Sequence, residues 1–210
     1  MIDFYTWSTP NGRKVSIMLE ECKLDYNLIP INIIKDEQFE EKFLNISPNN
    51  KIPAIYDHET NISMMESGSI LLYLSEKTGV FFPKNDSDRW KRDEWLMFQM
   101  ASLGPMLGQV HHFIKFNAGK SAYAEERYYN EAMRIYGVLD KRLGESQFVA
   151  GKDYGIVDIS IWPWISRYEW QNIDLNKFSN ILRWYKEIAS REAVIKGYDV
   201  PNTGAEIPIP

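Results

Sequence analysis

The chain has 210 residues, a net charge of −5 and one cysteine. Its hydrophobic fraction of 44% and aromatic fraction of 14% provide for a sizeable core and exclude a disordered chain. The 24 Lys and Arg are outnumbered by 29 Asp and Glu and form no dense cluster, so the electrostatic footprint of a nucleic-acid or membrane-surface binder is missing.

From residue 1 to 79, strand-like runs alternate with amphipathic stretches, the pattern of an α/β layer. Ile2-Asp3-Phe4-Tyr5-Thr6 reads as a first strand. A helix is expected to open at Thr9-Pro10-Asn11-Gly12, with Thr9 capping the free amides and Pro10 preset for the first turn. Val15, Met18, Leu19 and Cys22 follow at helical spacing and mark a buried face. Residues 27–33 read as a second strand, with Pro30 at a sheet edge. A short helix around Phe39, Phe43 and Leu44 is stopped by Ser47-Pro48. Pro53 opens the apolar run Ala54-Ile55-Tyr56 and so belongs at a strand's first residue or edge. It pushes Ile52 toward an extended conformation whose backbone groups are free to pair with a ligand like an added strand. Residues 62–65 form a further strand, and Glu66-Ser67 stands where it gives way to a helix carrying Ile70, Leu71 and Leu74 and ending before Gly79. A helix start there offers free N–H groups and a positive dipole end to a carboxylate. The order β-α-β-α-β-β-α predicts a four-stranded mixed sheet of thioredoxin-like type.

Residues 80–88 read as a linker and 89–210 as an all-helical domain. A long helix from Trp90 to about Phe116 is expected to kink at Gly104-Pro105. A second, 125–143, presents Tyr128, Ile135, Leu139 and Leu143. Residues 156–170 are apolar enough to be buried on all sides, 181–189 make another helix, and an irregular tail starts at 197. His111 and His112 are adjacent, point to different helix faces and miss the spacing of a helical metal pair. Trp162-Pro163-Trp164 reads as core. No stretch approaches ~18 uninterrupted apolar residues, and Met1-Ile2-Asp3-Phe4-Tyr5 has no leader-like character, which predicts a soluble, cytoplasmic protein without membrane or nucleic-acid partners. The lone Cys22 fits a reducing compartment and a packing role.

These motifs and the two-domain order resemble the cytosolic glutathione transferase family over essentially the whole chain. Thr9-Pro10-Asn11-Gly12, the run Ser47-Pro48-Asn49-Asn50-Lys51-Ile52-Pro53-Ala54-Ile55, and Gly104-Pro105-Met106-Leu107-Gly108-Gln109 are similar to the bacterial Nu class, itself similar to the folded domain of the yeast nitrogen-regulator prion protein. The resemblance implies a thioredoxin-like, glutathione-binding domain followed by an all-helical glutathione transferase domain. It further implies that Pro53 is cis, that Ile52 pairs its backbone with the cysteinyl part of glutathione, and that Glu66 and Ser67 hold the γ-glutamyl end. The chemistry agrees: Glu66 suits an α-ammonium, and Ser67 with its helix-start amide suits an α-carboxylate. Gln38 and Lys51 resemble the positions near the glycyl end, while Arg134, or else Arg127, would reach in from the partner of a homodimer.

The implied activity is glutathione-dependent disulfide reduction, with glutathione as cosubstrate and no metal. Thiols react as thiolates, so the site must favour the anion; Thr9 and Asn11 at the first helix start are the expected donors, ahead of Tyr5 and Ser8. Conjugation of small electrophiles and non-catalytic glutathione binding in a regulatory protein are the alternative functions. One departure from the family pattern is Gly155, three residues before Asp158, where Ser or Thr would complete a capping box.

Overall fold

Alternate residues of β1 (Ile2–Thr6) turn inward: Ile2, Phe4 and Thr6 are buried, while Asp3 and Tyr5 are partly exposed, the period-two pattern of a pleated strand. In this computed structural model, which describes residues 1–210, β1 lies at the centre of a sheet ordered β2-β1-β3-β4. The partner strands are β2 (Tyr26–Pro30), β3 (Ala54–Asp57) and β4 (Ile62–Met65). β1 runs parallel to β2 in the register Phe4↔Leu28 and antiparallel to β3 in the register Phe4↔Ile55. β3 and β4 form an antiparallel hairpin. The sheet is therefore mixed, and Pro30 closes an edge strand, where its missing N–H costs no ladder bond.

Helix α1 (Pro10–Glu21) is buried on every side from Gly12 to Leu19 rather than along one stripe, including Arg13 and Lys14. It packs against α3 (Ser67–Thr78) on one flank and α9 (Glu192–Tyr198) on another. Ser16 Oγ donates to the carbonyl of Gly197 at 2.6 Å, and a Cβ at Gly197 would lie 2.7 Å from the backbone N and Cα of Ile17. Between β2 and β3 the chain makes a single 3₁₀ turn, Glu37–Phe39, and the short α2 (Glu41–Leu44). α3 ends on Gly79 in the left-handed conformation, φ +74°, a common helix stop.

The chain divides into two compact units, Met1–Phe82 with Arg191–Ile207, and Pro83–Ser190 with Pro208–Pro210. The sequence-based division into 1–79, 80–88 and 89–210 differs at its C-terminal end: residues 191–207 group with the first unit, because α9 and Tyr198 pack on α1.

The second unit is helical throughout. α4 (Asp86–Phe98) is capped by Asn85, whose side chain accepts from Asp88 N at 2.9 Å. A π-helical stretch, Gln99–Leu103, leads into α5 (Gly104–Val110), and a second one, His111–Phe116, follows it. The helical run is thus continuous from 86 to 116, and the expected interruption takes the form of a widened turn just before Pro105, which has no N–H to donate. α6 (Ala122–Glu145) buries Ala132, Ile135, Tyr136, Leu139 and Leu143. α7 (Ile156–Ile165) is buried at every residue; the chain beyond it forms a separate 3₁₀ turn, Tyr168–Gln171, rather than extending the helix. Asp158 accepts from Val149 N (3.0 Å), Gly155 N (3.1 Å) and Trp184 Nε1 (2.8 Å). It ties the start of α7 to α8 (Ser179–Ala189). No helix is long and apolar enough to cross a membrane.

Candidate functional site

Three segments of the first unit meet around a cavity of about 160 Å³. Asn11 comes from the first turn of α1; Ser47, Asn49, Lys51, Ile52 and Pro53 come from the loop before β3; Met65, Glu66 and Ser67 come from the β4–α3 junction. The loop is shaped locally. Ser47 Oγ donates to the Lys51 carbonyl at 2.9 Å and Asn50 N to the Ser47 carbonyl at 2.8 Å. Asn50 takes the left-handed conformation, φ +49°, which asparagine tolerates better than most residues. The Ile52–Pro53 peptide bond is cis. Ladder pairing starts at Ala54, so the backbone N–H and carbonyl of Ile52 are not used in the sheet. The Ile52 side chain packs with Tyr5 and Ile29 against Ile31, Phe43 and Ala54.

Glu66 has φ +70° and ψ 110°, a sparsely populated combination that costs on the order of 1–3 kcal/mol. That backbone twist ends β4, and the Glu66 carbonyl then accepts from Ile70 N as α3 begins. Ser67 is buried yet borders the cavity. Behind it, the buried Lys14 donates from Nζ to Ser67 Oγ at 3.3 Å. Burial pushes the Lys14 ammonium down to about 7, and the nearby Glu66 charge only partly offsets this.

Thr9 caps α1: its side chain accepts from Gly12 N at 3.1 Å, and its own N–H reaches the Trp7 carbonyl at 2.7 Å. It adjoins the cavity through Asn11 but is not one of its walls. Gly12 sits so close to the preceding strand end that a Cβ would collide with Thr6 Oγ1 and the Trp7 carbonyl. Tyr5 belongs to the apolar cluster beside Phe43, and burial raises its pKa. Ser8 Oγ accepts from Arg13 Nη2 at 3.0 Å and from Thr203 Oγ1 at 3.4 Å. Arg13 is fully buried, donates from Nε to the Tyr198 carbonyl at 2.8 Å, and stacks 3.8 Å over the Tyr198 ring. Cys22 is the C-cap at the far end of α1, ~20 Å from Thr9 at 1.5 Å per residue. Its thiol lies 3.5 Å from Thr78 Oγ1 and is pushed up by burial.

The structure therefore gathers Asn11, Lys51, Ile52, Pro53, Glu66 and Ser67 around one cavity. Gln38 is outside it, its amide donating to Asp36 at 3.3 Å within the 3₁₀ turn. Arg134 belongs to α6 in the second unit, where it pairs with Glu131 through two bonds of 2.8 and 2.7 Å. Together with Arg127, Tyr128 and Met106 it lines a separate cavity of about 460 Å³. Sequence reasoning missed Ser47, Asn49, Met65 and Lys14. The first two lay inside a run that carried the family resemblance but had no ligand role assigned to them, and Lys14 was not singled out at all. His111 is buried and stacked on Trp164, with Gln171 Nε2 at 3.1 Å, while His112 is exposed and lies near Asn117. No group of three or more His, Cys, Asp or Glu is placed to hold a metal.

The first part of the chain, residues 4–80, matches the glutathione S-transferase N-terminal domain, and residues 103–192 match the corresponding C-terminal domain. The disulfide-bond oxidoreductase YfcG of Escherichia coli is 47% identical, with 92% of each chain covered. Among solved structures, a glutathione transferase from Pseudomonas putida, with one glutathione disulfide bound per subunit, superposes with a TM-score of 0.90 at 38% identity. That match covers 96% of this chain and 92% of the other. Another from Burkholderia graminis, with two glutathione molecules bound per subunit, gives a TM-score of 0.89 at 37% identity over 97% and 89% of the two chains.

Proposed function

Because the chain belongs to the glutathione S-transferase family, we propose that it is a glutathione-dependent disulfide-bond oxidoreductase of the Nu class, acting as a homodimer in the cytoplasm. The observation that carries this reading is the single cavity in which the unpaired backbone of Ile52, the helix start at Ser67 and the α1 start at Asn11 converge. Those three features match the parts of a γ-glutamyl tripeptide in turn. The relatives' names and bound ligands point the same way: a disulfide-bond oxidoreductase, and transferases holding two glutathiones or one glutathione disulfide.

In this reading the γ-glutamyl ammonium faces Glu66 and its carboxylate meets Ser67 and the first amides of α3. The cysteinyl residue pairs with Ile52 as an added strand would, and Lys51 serves the glycyl carboxylate, with Gln38 nearby. The sulfur lies at the start of α1. The Thr9 hydroxyl spends a lone pair on Gly12 N–H, so its proton remains available to a thiolate; Asn11 adds a second donor, and the helix dipole favours the anion. Glutathione thiolate attacks one sulfur of a disulfide, forming a mixed disulfide and expelling a thiolate. A second glutathione thiolate attacks the glutathione sulfur of that mixed disulfide and expels the other thiolate. The net change oxidises two glutathiones to glutathione disulfide and reduces the substrate disulfide to two thiols, the expelled thiolates taking up the two protons. Arg134 contributes from the partner subunit, with Arg127 as the alternative.

Turnover of glutathione with 2-hydroxyethyl disulfide, run beside conjugation of 1-chloro-2,4-dinitrobenzene, tests the assignment. Disulfide reduction is expected to dominate, and Thr9→Ala or Asn11→Ala to lower kcat by on the order of 10- to 100-fold. Conjugation without disulfide reduction would make the protein a transferase of electrophiles. Glutathione binding with neither activity would make it a binding protein.

A further inference from the structure

We propose that Arg13 is a positioning residue for the sulfur subsite: its guanidinium fastens the Ser8–Thr9 loop to Tyr198 at the end of α9 and so aims the Thr9 hydroxyl; this rests on the role given to Thr9 above. Thr9 is an N-cap with extended backbone, φ −130° and ψ 161°, outside the repeating bonds of the helix. The direction of its hydroxyl therefore depends on what holds the residues around it. On the helix side, Gly12 N donates to Thr9 Oγ1 at 3.1 Å and Arg13 N to the Thr9 carbonyl at 3.0 Å. On the loop side, Thr9 N donates to the Trp7 carbonyl at 2.7 Å, and Arg13 Nη2 donates to Ser8 Oγ at 3.0 Å. Arg13 thus holds the segment twice, by its amide at Thr9 and by its side chain at Ser8.

The guanidinium is itself fixed from behind. Its Nε donates to the Tyr198 carbonyl at 2.8 Å, and its carbon lies 3.8 Å from the centre of the Tyr198 ring, within cation–π range. Both residues are buried. Tyr198 is a firm anchor, because it ends α9, which the 2.6 Å bond from Ser16 Oγ to the Gly197 carbonyl seats on α1. A planar group with its donors in a rigid fork sets two partners at a defined separation, whereas an ammonium on a flexible stem does not. Thr203 Oγ1, 3.4 Å from Ser8 Oγ, adds a longer tie from the same C-terminal segment. The loop that carries Thr9 is therefore referenced to a residue 185 positions beyond Arg13.

Filling the space behind the loop would call for an apolar side chain, such as those of Val15, Ile17 and Met18 on the same helix, since burying a guanidinium is costly. What the guanidinium adds is direction. Misplacement at a reacting centre costs rate more than affinity, so the loss belongs in kcat and in the stability of the bound thiolate.

The test measures three quantities in the full-length protein: kcat for 2-hydroxyethyl disulfide, the pKa of the bound glutathione thiol from thiolate absorbance, and calorimetric affinity for S-methylglutathione, which has no thiol to stabilise. Arg13→Met and Arg13→Lys are expected to lower kcat by about tenfold and raise the thiol pKa, with S-methylglutathione affinity within about twofold of wild type. Ser8→Ala cuts the same tie at a half-buried residue and should act alike, with Arg13→Met adding little to it; it decides the matter if the Arg13 variants fail to fold. In Thr9→Ala, where the aimed group is gone, Arg13→Met should change kcat by less than about twofold, whereas a merely structural residue would cost as much there as in wild type. Wild-type kcat and thiol pKa in Ser8→Ala, or an undiminished Arg13 effect in Thr9→Ala, would overturn the proposal and leave the role of Thr9 standing. Undiminished turnover in Thr9→Ala alone would remove that role, and this proposal with it.

Discussion

Gly12 holds the turn that positions Thr9. Any Cβ there meets Thr6 Oγ1 and the Trp7 carbonyl, and the latter is backbone that no rotamer change can move aside. Gly12→Ala should therefore displace the 6–9 segment, lower the melting temperature and cut disulfide turnover by on the order of 10- to 100-fold, since small misplacements at a reacting centre are amplified. Unchanged kinetics would show that the turn does not position the sulfur. A second residue-level expectation concerns His111. Burial, reinforced by the Arg167 guanidinium, lowers its pKa from 6.5 to about 4. The unfolded chain thus takes up the proton first, so the stability this residue contributes is complete above about pH 6.5 and is lost progressively as pH falls toward 4. Asp158 contributes with the opposite sign: its carboxyl is pushed up to about 6 by burial, against the pull of its donors. The useful quantity is accordingly the difference between wild type and His111→Gln. Melting temperature should fall more steeply below pH 6.5 in wild type, and parallel profiles would contradict the shift.

Reading the sequence succeeds at residues whose chemistry is local. Pro53 after Ile52, and Ser67 after a strand, announce themselves through backbone rules, and both lie where those rules put them. Lys14 does not, because it is buried on a helix whose own periodicity suggested only one buried face, and its ammonium reaches Ser67, a residue far along the chain at the start of α3. Gln38 is not among the cavity walls, and its amide donates to Asp36; a motif position carries no information about such local hydrogen bonding.

At the scale of elements, the contact of α1 with α9 is the feature most exposed to mutation. Gly197 permits backbone-to-backbone approach at Ile17, and Ser16 bonds its carbonyl. Gly197→Ala should force the helices apart and destabilise by roughly 1–3 kcal/mol, read by denaturant unfolding; a change under about 0.5 kcal/mol would mean that α9 re-seats freely. The start of α7 offers the reverse case. Asp158 already accepts from Gly155 N, but glycine leaves the other half of the capping box unmade. Its backbone is extended, φ −165°, and admits any residue. Gly155→Ser should add a few tenths of a kcal/mol, with a lowered melting temperature as the contrary outcome. The π-helical turn before Pro105 was only partly legible, since a proline predicts a break in helical bonding but not whether the chain bends or widens to absorb it.

At the scale of the whole molecule, the order of one mixed-sheet unit and one helical unit was readable from hydrophobic periodicity, and family membership follows from matches spanning both. Assembly is argued from Arg134. Its guanidinium is engaged by Glu131 within the chain, so service to a partner's ligand requires it to share or exchange that carboxylate. Arg134→Ala should weaken glutathione binding several-fold while leaving a species of about twice the 24.6 kDa chain mass in sedimentation; a monomeric wild type would remove the trans contribution altogether.

The central claim is that the reacting sulfur belongs to bound glutathione and not to the protein. Its most direct test is steady-state reduction of 2-hydroxyethyl disulfide by Cys22→Ala with glutathione supplied. The half-buried thiol of Cys22, at the far end of α1 from Thr9, takes no part in the proposed exchange, so the variant should turn over within about twofold of wild type. Loss of activity in Cys22→Ala, with the fold and glutathione affinity unchanged, would contradict the mechanism.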